Sequence, residues 1–183
     1  GDFIDDFDCF DTSLSELIKE KKVLTISGLT YNKTDDEVPE ETTVRVLTAS
    51  NLSLRTGLLE FGNKMIHLRE DYPVDKNIEI RENDIIMCMS SGSLSHLGKV
   101  SLSDKLYPKL LIGGFLNIIR ADSKELAVAL YYRFMSQKFR EYVFSKKGQN
   151  INNLKMSEIA NIKINLPKDF NAFIQKVEEL KKK

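Results

Sequence analysis

Residues 115–135 read FLNIIRADSKELAVALYYRFM and join a strand signal directly to a helix signal. The apolar, β-branched run Phe115–Ile119 is typical of a buried strand. Asp122–Glu125 has the composition of a capping box, which begins a helix. Apolar side chains then recur at the spacing of one helix face, at Leu126, Leu130 and Phe134. We therefore expect a strand followed by one long packed helix that continues to a cap at Gly148.

Short strand signals precede this stretch, and a smaller helix and strand pattern follows it. The upstream strand candidates are Val23–Ile26, Thr43–Leu47, Met65–Leu68, Ile78–Ile80, Asp84–Met89, Leu97–Val100 and Leu110–Ile112. A capping box at Ser13 and Glu16 predicts a first helix, and residues 34–39 form a polar loop. Downstream, Met156–Ala160 predicts a short helix and Ile162–Leu166 a strand. The pattern predicts an α/β (α+β) domain over residues 12–167.

Charge is balanced overall but unevenly placed. The chain of 183 residues has 27 Lys and Arg against 27 Asp and Glu, which excludes a protein held on DNA by bulk charge alone. Five of the acids are Asp residues within positions 1–11. We expect residues 1–11 to form an exposed, flexible acidic leader. The remaining body is then mildly basic, which suits an ordinary surface or a nucleic-acid partner.

Cysteine usage and hydropathy predict a cytoplasmic protein with no membrane contact. Cys9 and Cys88 do not form a disulfide framework and are expected to be free thiols. Cys88 lies in the apolar run Ile85–Met89, where a core thiol is favoured over a nucleophile. The longest apolar stretches, such as Leu110–Leu116, are much shorter than the ~20 residues of a membrane span.

No pattern of side chains indicates catalysis. His67 and His96 have no neighbouring residues at metal-ligand spacing, and no glycine-rich phosphate loop occurs. The sequence Ser91–Ser93 lacks the second glycine of a nucleophile elbow. The many carboxylates around residues 71–84 are typical of a solvated surface. We therefore expect no catalytic residue, no metal ion and no cofactor.

The end of the chain has the spacing of a coiled-coil seam. Its apolar residues step by three, four and three positions, at Phe170, Phe173, Val177 and Leu180. We interpret residues 168–183 as the start of a connecting coiled-coil helix that binds a partner helix. The alternative is that this helix packs on its own domain.

Several segments in order resemble the target-recognition domain of a type I restriction–modification DNA specificity subunit. Residues 26–31 with 44–52 resemble the first block of that family, and 83–100 its glycine-containing hairpin. Residues 115–121 and 130–136 follow, and 148–154 with 162–167 close the domain as in the family. Two departures occur: Lys168–Asn171 begins the last helix, and Ser95-His96 extends the hairpin.

The resemblance implies a twisted mixed β-sheet recognition domain without catalytic residues of its own. Its implied partners are double-stranded DNA, methyltransferase (modification) subunits and a restriction subunit. Through the C-terminal helix it would join a second recognition domain or a second copy of the chain. The absence of methyltransferase motifs is then expected, because partner subunits would perform the chemistry.

Base recognition requires polar side chains on loops that reach a DNA groove, and cations that bind phosphates. Our candidate DNA contacts are Lys33, Asn51, Arg55, Lys64, Ser91, Ser93, His96 and Lys99. Arg55 and His96 are candidates for base edges, and the three lysines for phosphates. The alternative for each cation is a solvated surface charge, for Ser91–Ser93 a plain turn, and for His96 local packing.

Two other functions compete with sequence-specific DNA binding. The chain could be an assembly module that uses the coiled-coil seam without reading bases. It could also be the recognition domain of a single-chain methyltransferase or nuclease. A selection from random duplexes distinguishes DNA reading from assembly, and the length of the full gene distinguishes a fused enzyme.

Overall fold

A computed structural model describes residues 2–62, 64–147 and 153–182, which form an α+β fold with three sheets. The strands are β1 Cys9–Thr12, β2 Val23–Ser27, β3 Glu37–Val38, β4 Arg45–Leu47, β5 Ile66–Leu68, β6 Ile85–Cys88, β7 Val100–Leu102, β8 Leu110–Ile112, β9 Leu116–Ala121 and β10 Ile164–Pro167. The helices are α1 Leu14–Lys19, α2 Lys33–Asp36, α3 Lys124–Met135, α4 Gln137–Lys147, α5 Met156–Ala160 and α6 Phe170–Lys181.

The main sheet has the order β2-β9-β6-β7 and is antiparallel throughout. A smaller sheet has the order β3-β5-β4-β8, in which β4 and β8 are parallel. Strands β1 and β10 form a separate antiparallel pair. The expectation of a twisted mixed sheet with a packed helix is confirmed in its class, with the strands divided among three sheets.

Strand β6, an inner strand of the main sheet, is buried on both faces, which explains its continuous apolar run. Ile85 and Met87 face a core shared with helices α1, α3, α4 and α6, while Ile86 and Cys88 face the smaller sheet. Successive side chains of a strand point to opposite faces, so all four residues of β6 are buried. Burial raises the pKa of the Cys88 thiol to about 11, as expected for a core cysteine rather than a nucleophile.

The long helix predicted as far as Gly148 is interrupted. Ser136 has an extended backbone (ψ 155°) between α3 and α4. Its hydroxyl donates to the Arg133 carbonyl at 2.6 Å and accepts from the Phe139 amide at 3.3 Å. The side chain therefore caps the second helix and ends the first. Gly148 lies outside the described residues.

Three smaller expectations were also wrong. Ile78–Ile80 is not a strand, because Lys76–Ile78 forms a 3₁₀ turn whose amide at Asn77 is capped by Asp75. The polar loop at residues 34–39 contains α2 and β3. The strand placed at Leu97–Val100 begins only at Val100.

The acidic segment at the start of the chain is not the exposed leader that its charge suggested. Phe3–Asp6 forms a 3₁₀ helix, β1 pairs with β10, and Ile4 is only 1% exposed. Phe3 stacks on Phe173, and Asp5 pairs with the buried guanidinium of Arg133 at 2.7 Å. Alternating phenylalanines and aspartates thus let this segment bury rings while its carboxylates stay near cations and solvent.

One end of the main sheet contains a buried ion pair between Arg120 and Asp84. Arg120 contacts both carboxylate oxygens of Asp84 at 2.8 and 2.9 Å, and Asp84 is 1% exposed. The same guanidinium donates to the carbonyls of Asn77 and Glu79, each at 2.8 Å. We call this the Asp84 end; it also contains Asp104 and Asp122, which follow β7 and β9. Its buried charges are paired with carboxylates and carbonyls, as stability requires.

Candidate nucleic-acid interface

Antiparallel pairing brings three connecting segments to the other end of the main sheet. Ser27 pairs with Asn117 on β9, Cys88 with Leu116, and Met87 with Val100. The segments that leave the strands there are residues 27–33, 89–99 and 113–115. None of the three segments contains Asp or Glu. We call these three segments the carboxylate-free end.

Two glycines hold two of these segments together. A Cβ atom on Gly28 would lie 1.8 Å from the carbonyl oxygen of Gly113, well inside the 3.0 Å below which non-bonded Cβ contacts essentially never occur. Hydrogen bonds lock the same contact: the Leu29 amide donates to Ile112 at 2.7 Å, and the Gly113 amide to Leu47 at 2.9 Å. The carboxylate-free end is therefore a rigid backbone structure at this point.

The loop of the glycine-containing hairpin, residues 90–99, is hydrogen-bonded to α4 and packs against it. Arg140 is 6% exposed and donates from Nη1 to the Leu97 carbonyl at 2.7 Å, while its guanidinium lies 5.0 Å from the Phe144 ring centroid. Gly98 has a φ of +76°, which favours glycine, and its position against Val143 leaves no room for a Cβ atom. Arg140 and Gly98 thus set the position of Lys99.

Lys99 is a half-buried cation with an unusual environment. Burial, and secondarily the nearby Arg140 guanidinium, lower the pKa of Lys99. Within residues 2–62, 64–147 and 153–182, no carboxylate forms an ion pair with Lys99 or Arg140. Two neighbouring cations without an anion favour the approach of a phosphate.

The serines of the hairpin form local hydrogen bonds and still reach solvent. Ser91 Oγ accepts from the Ser93 amide at 3.0 Å, and the hydroxyls of Ser93 and Ser95 lie 2.7 Å apart. Gly92 has no other atom near its Cβ position. His96 is half-buried, and its amide closes a turn onto Ser93. Hydroxyl groups and an imidazole at a loop tip can donate to and accept from base edges.

Lys33 and Lys64 are brought together, although 30 residues of sequence separate them. Both line one groove of about 340 Å³ with His67 and Glu37. Lys33 begins α2, and Lys64 precedes β5; both side chains are exposed. Glu37 partly offsets their charge, so this groove is less positive than the surroundings of Lys99.

Two of the predicted DNA contacts are not at this site. Asn51 is 0% exposed; its oxygen accepts from the Thr48 amide, and its nitrogen donates to the Glu60 carbonyl at 3.1 Å. It is a structural cap and cannot touch a base, so that prediction was wrong. Arg55 is exposed on a turn fastened to β7 through Leu58, nearer to the Asp84 end.

The C-terminal seam is used mainly within the domain. Phe173 and Val177 are 0% and 1% exposed, and Phe173 lies within ring-contact distance of Phe3, Phe7 and Tyr132. The prediction that these two residues bind a partner helix was wrong, because the acidic segment and α3 already cover them. Phe170 is half-buried against Phe10, and Leu180 is 40% exposed.

Sequence reasoning missed two residues at the site. Arg140 was read only as part of a helix, and Phe115 only as part of a strand. Phe115 is 67% exposed, the highest value among the large hydrophobic side chains of the described residues. The glycine pair immediately before it was the available signal, because glycines there permit a tight backbone turn that leaves the next side chain outside.

The described part of the chain contains no group of three His, Cys, Asp or Glu side chains arranged to hold a metal ion. Among its helices, none has the length and apolar character needed to cross a bilayer.

Residues 13–178 match the family described as the type I restriction modification DNA specificity domain. The chain belongs to this family. The expected family resemblance is thereby confirmed over nearly the whole sequence. Comparison with curated proteins gave no match.

Solved structures support the same fold. The HsdS subunit from Thermoanaerobacter tengcongensis aligns with a TM-score of 0.58 at 12% identity, over 94% of this chain and 38% of that one. A chain from a study of complex assembly and conformational transition of the type I R-M system aligns with a TM-score of 0.62 at 12% identity, over 95% and 38%. The type I S subunit from M. genitalium gives 0.53 at 13%, over 95% and 41%. This specificity domain therefore spans about two fifths of those chains.

Proposed function

We propose that the chain recognises a short DNA sequence as part of a type I specificity subunit. The observation that carries this proposal is the carboxylate-free end, where three segments distant in sequence present hydroxyls, an imidazole and unpaired cations together. Membership of the DNA specificity domain family supports the same proposal. Of the three segments, the carboxylates of Asp36 and Glu37 contact only 27–33, through Asn32 and Tyr31, and no carboxylate of the described residues forms an ion pair with Lys99. A chain of zero net charge can therefore attract a phosphate locally at Lys99.

In this proposal, phosphate binding and base reading are separate tasks. Lys99 would bind a backbone phosphate and set the register, with Lys33 and Lys64 as outer phosphate contacts. Ser91, Ser93 and His96 would approach base edges in the major groove, where each base pair presents a distinct set of donors and acceptors. Arg140 is a positioning residue, since it is buried and acts through the hairpin.

The chain would direct chemistry and not perform it. We propose that methyltransferase and restriction subunits in the cytoplasm supply catalysis, and that no cofactor binds here. Because the chain spans about 38% of the HsdS subunit it resembles, a second recognition domain or a second copy would complete the assembly. Leu180 and the outer side of Phe170 are the seam positions left for that contact.

Selection from a random duplex library tests the proposal. The full chain, alone and with a type I methyltransferase subunit of the same source, is incubated with the library at two salt concentrations. Enrichment of one short sequence that persists at the higher salt supports base recognition. Binding without sequence preference, or no binding under either condition, would overturn the proposal. The variant Ser91→Ala/Ser93→Ala should keep salt-dependent binding and lose part of the enrichment.

A further inference from the structure

Phe115 is an exposed apolar ring at the carboxylate-free end. It follows Gly113-Gly114 at the carboxylate-free end and is 67% exposed, while its neighbour Leu116 is fully buried. A phenylalanine left in water forgoes the favourable free energy of burying its ring. The position is therefore one where a partner that covers the ring has a clear energetic gain.

The backbone on both sides of Phe115 is fixed, so the ring is held outward by the fold. The Phe115 carbonyl accepts from the Met89 amide at 2.8 Å, and the Leu116 amide donates to Gly113 at 3.0 Å. The close contact of Gly28 with Gly113 fixes the other side of the turn. A ring on a rigid turn loses little conformational entropy on binding.

The neighbours of Phe115 identify the chemical class of its partner. Met89 leads directly into the loop of the glycine-containing hairpin, and the three segments at this end contain no Asp or Glu. A hydrophobic protein partner would bring no anion to Lys99, which has no ion pair among the described residues, whereas a DNA major groove lies between phosphates and presents polar base edges and one apolar group. That apolar group is the C5 methyl of thymine.

We infer that Phe115 determines specificity by packing against a thymine methyl group in the recognised sequence. The inference rests on the proposed function. It adds a residue that reads one A·T pair by shape and apolar contact, beside serines and a histidine that read hydrogen-bonding groups.

Replacement of thymine by deoxyuridine provides the test, because it removes only the methyl group. Each thymine of the selected duplex is replaced in turn, and affinities are measured for the full chain and for Phe115→Ala. We expect about fourfold weaker binding of the wild-type chain at one position, the value of one methyl group. Phe115→Ala should bind the thymine and uracil duplexes equally, with an unchanged salt dependence.

Leu106→Ala is the matched control, since Leu106 is another exposed apolar side chain (55%) in the loop that follows β7. This variant should retain the wild-type preference for thymine. A selected sequence without a specified A·T pair, or equal thymine preference in wild type and Phe115→Ala, would overturn the inference. The inference would also fail if Phe115→Ala lost only its assembly with the methyltransferase subunit. If the wild-type chain enriches no sequence, the proposed function itself fails.

Discussion

The two ends of the main sheet differ in how a buried arginine is paired. At the Asp84 end, Arg120 is bound to a carboxylate and two backbone carbonyls, and Asp84 is covered from solvent. At the carboxylate-free end, Arg140 is bound to one carbonyl and one ring, with the cation of Lys99 nearby and no carboxylate pairing either in the described residues. The same side-chain chemistry is neutralised at one end and left unneutralised at the other.

The difference separates stability from binding. A neutralised arginine has no remaining attraction for an anion, so the Asp84 end contributes to folding. Uncompensated cations raise the energy of the free protein and lower it again when a phosphate arrives, which is the pattern of a binding site. Substitutions at the two ends should therefore affect different measurements.

Arg120→Leu should have the largest effect, on stability alone. It leaves the Asp84 carboxylate buried without a partner, and loss of one member of a buried pair costs about 3–5 kcal/mol. Urea denaturation followed by circular dichroism measures the change. Arg69→Leu is the control, because the ion pairs of Arg69 with Asp36 at 3.0 Å and Asp71 at 2.9 Å are more exposed and contribute much less to stability. Equal losses for the two variants would contradict the contrast between the ends.

Gly28→Ala should have the next largest effect and should reduce both stability and DNA binding. The new Cβ would clash with the Gly113 carbonyl, which forces the backbone apart at a cost of about 1–3 kcal/mol. We expect a lower urea midpoint together with weaker DNA binding. Gly92→Ala meets no atom within 4 Å and should leave stability unchanged. If Gly28→Ala is as stable as Gly92→Ala, the two segments are not held together as described.

Lys99→Ala should leave stability nearly unchanged and weaken binding to all DNA sequences alike. Loss of one phosphate contact lowers the slope of log affinity against log salt by about 0.9. Lys22→Ala is the control, since Lys22 precedes β2 at the Asp84 end just as Lys99 precedes β7 at the other. Fluorescence anisotropy at four salt concentrations measures both slopes. An equal change for Lys22→Ala would remove the distinction between the ends.

Arg55→Ala should have the smallest effect. The turn that carries Arg55 is fastened to β7 near the Asp84 end, so an exposed arginine there should change DNA affinity by no more than about twofold. The same selection experiment used for the wild-type chain shows whether base preference changes. A relaxed preference at one base pair would place Arg55 on the reading surface and extend that surface along the outer edge of the sheet.

Local patterns in the sequence were sufficient for most elements of the fold. The helices predicted at Ser13 and at Asp122–Glu125 begin at the N-caps Ser13 and Ser123, the second one residue later than its predicted capping box, and the apolar run of β6 is a strand buried on both faces. The single long helix was wrong because Ser136 bonds to its own backbone, an alternative that periodicity of apolar residues does not register.

Tertiary context decided the residues that were assigned wrongly. Asn51 has the side chain of a base-reading residue, but its amide completes a cap inside the domain. Phe173 and Val177 have coiled-coil spacing, but phenylalanine rings of the acidic segment and helix α3 cover them. Spacing shows that a helix face is apolar and does not show which surface will cover it.

The sequence alone determined the capped helices and the lack of catalytic motifs, because each depends on residues close together in the chain. It also determined the family and the class of fold, because these depend on the order and spacing of segments along the chain. Only the tertiary structure decided that residues 27–33, 89–99 and 113–115 meet at one end of a sheet, that Arg140 supports Lys99, and that Phe115 stays outside. Antiparallel pairing brings these segments together across up to 88 positions of sequence, and no local pattern encodes that meeting.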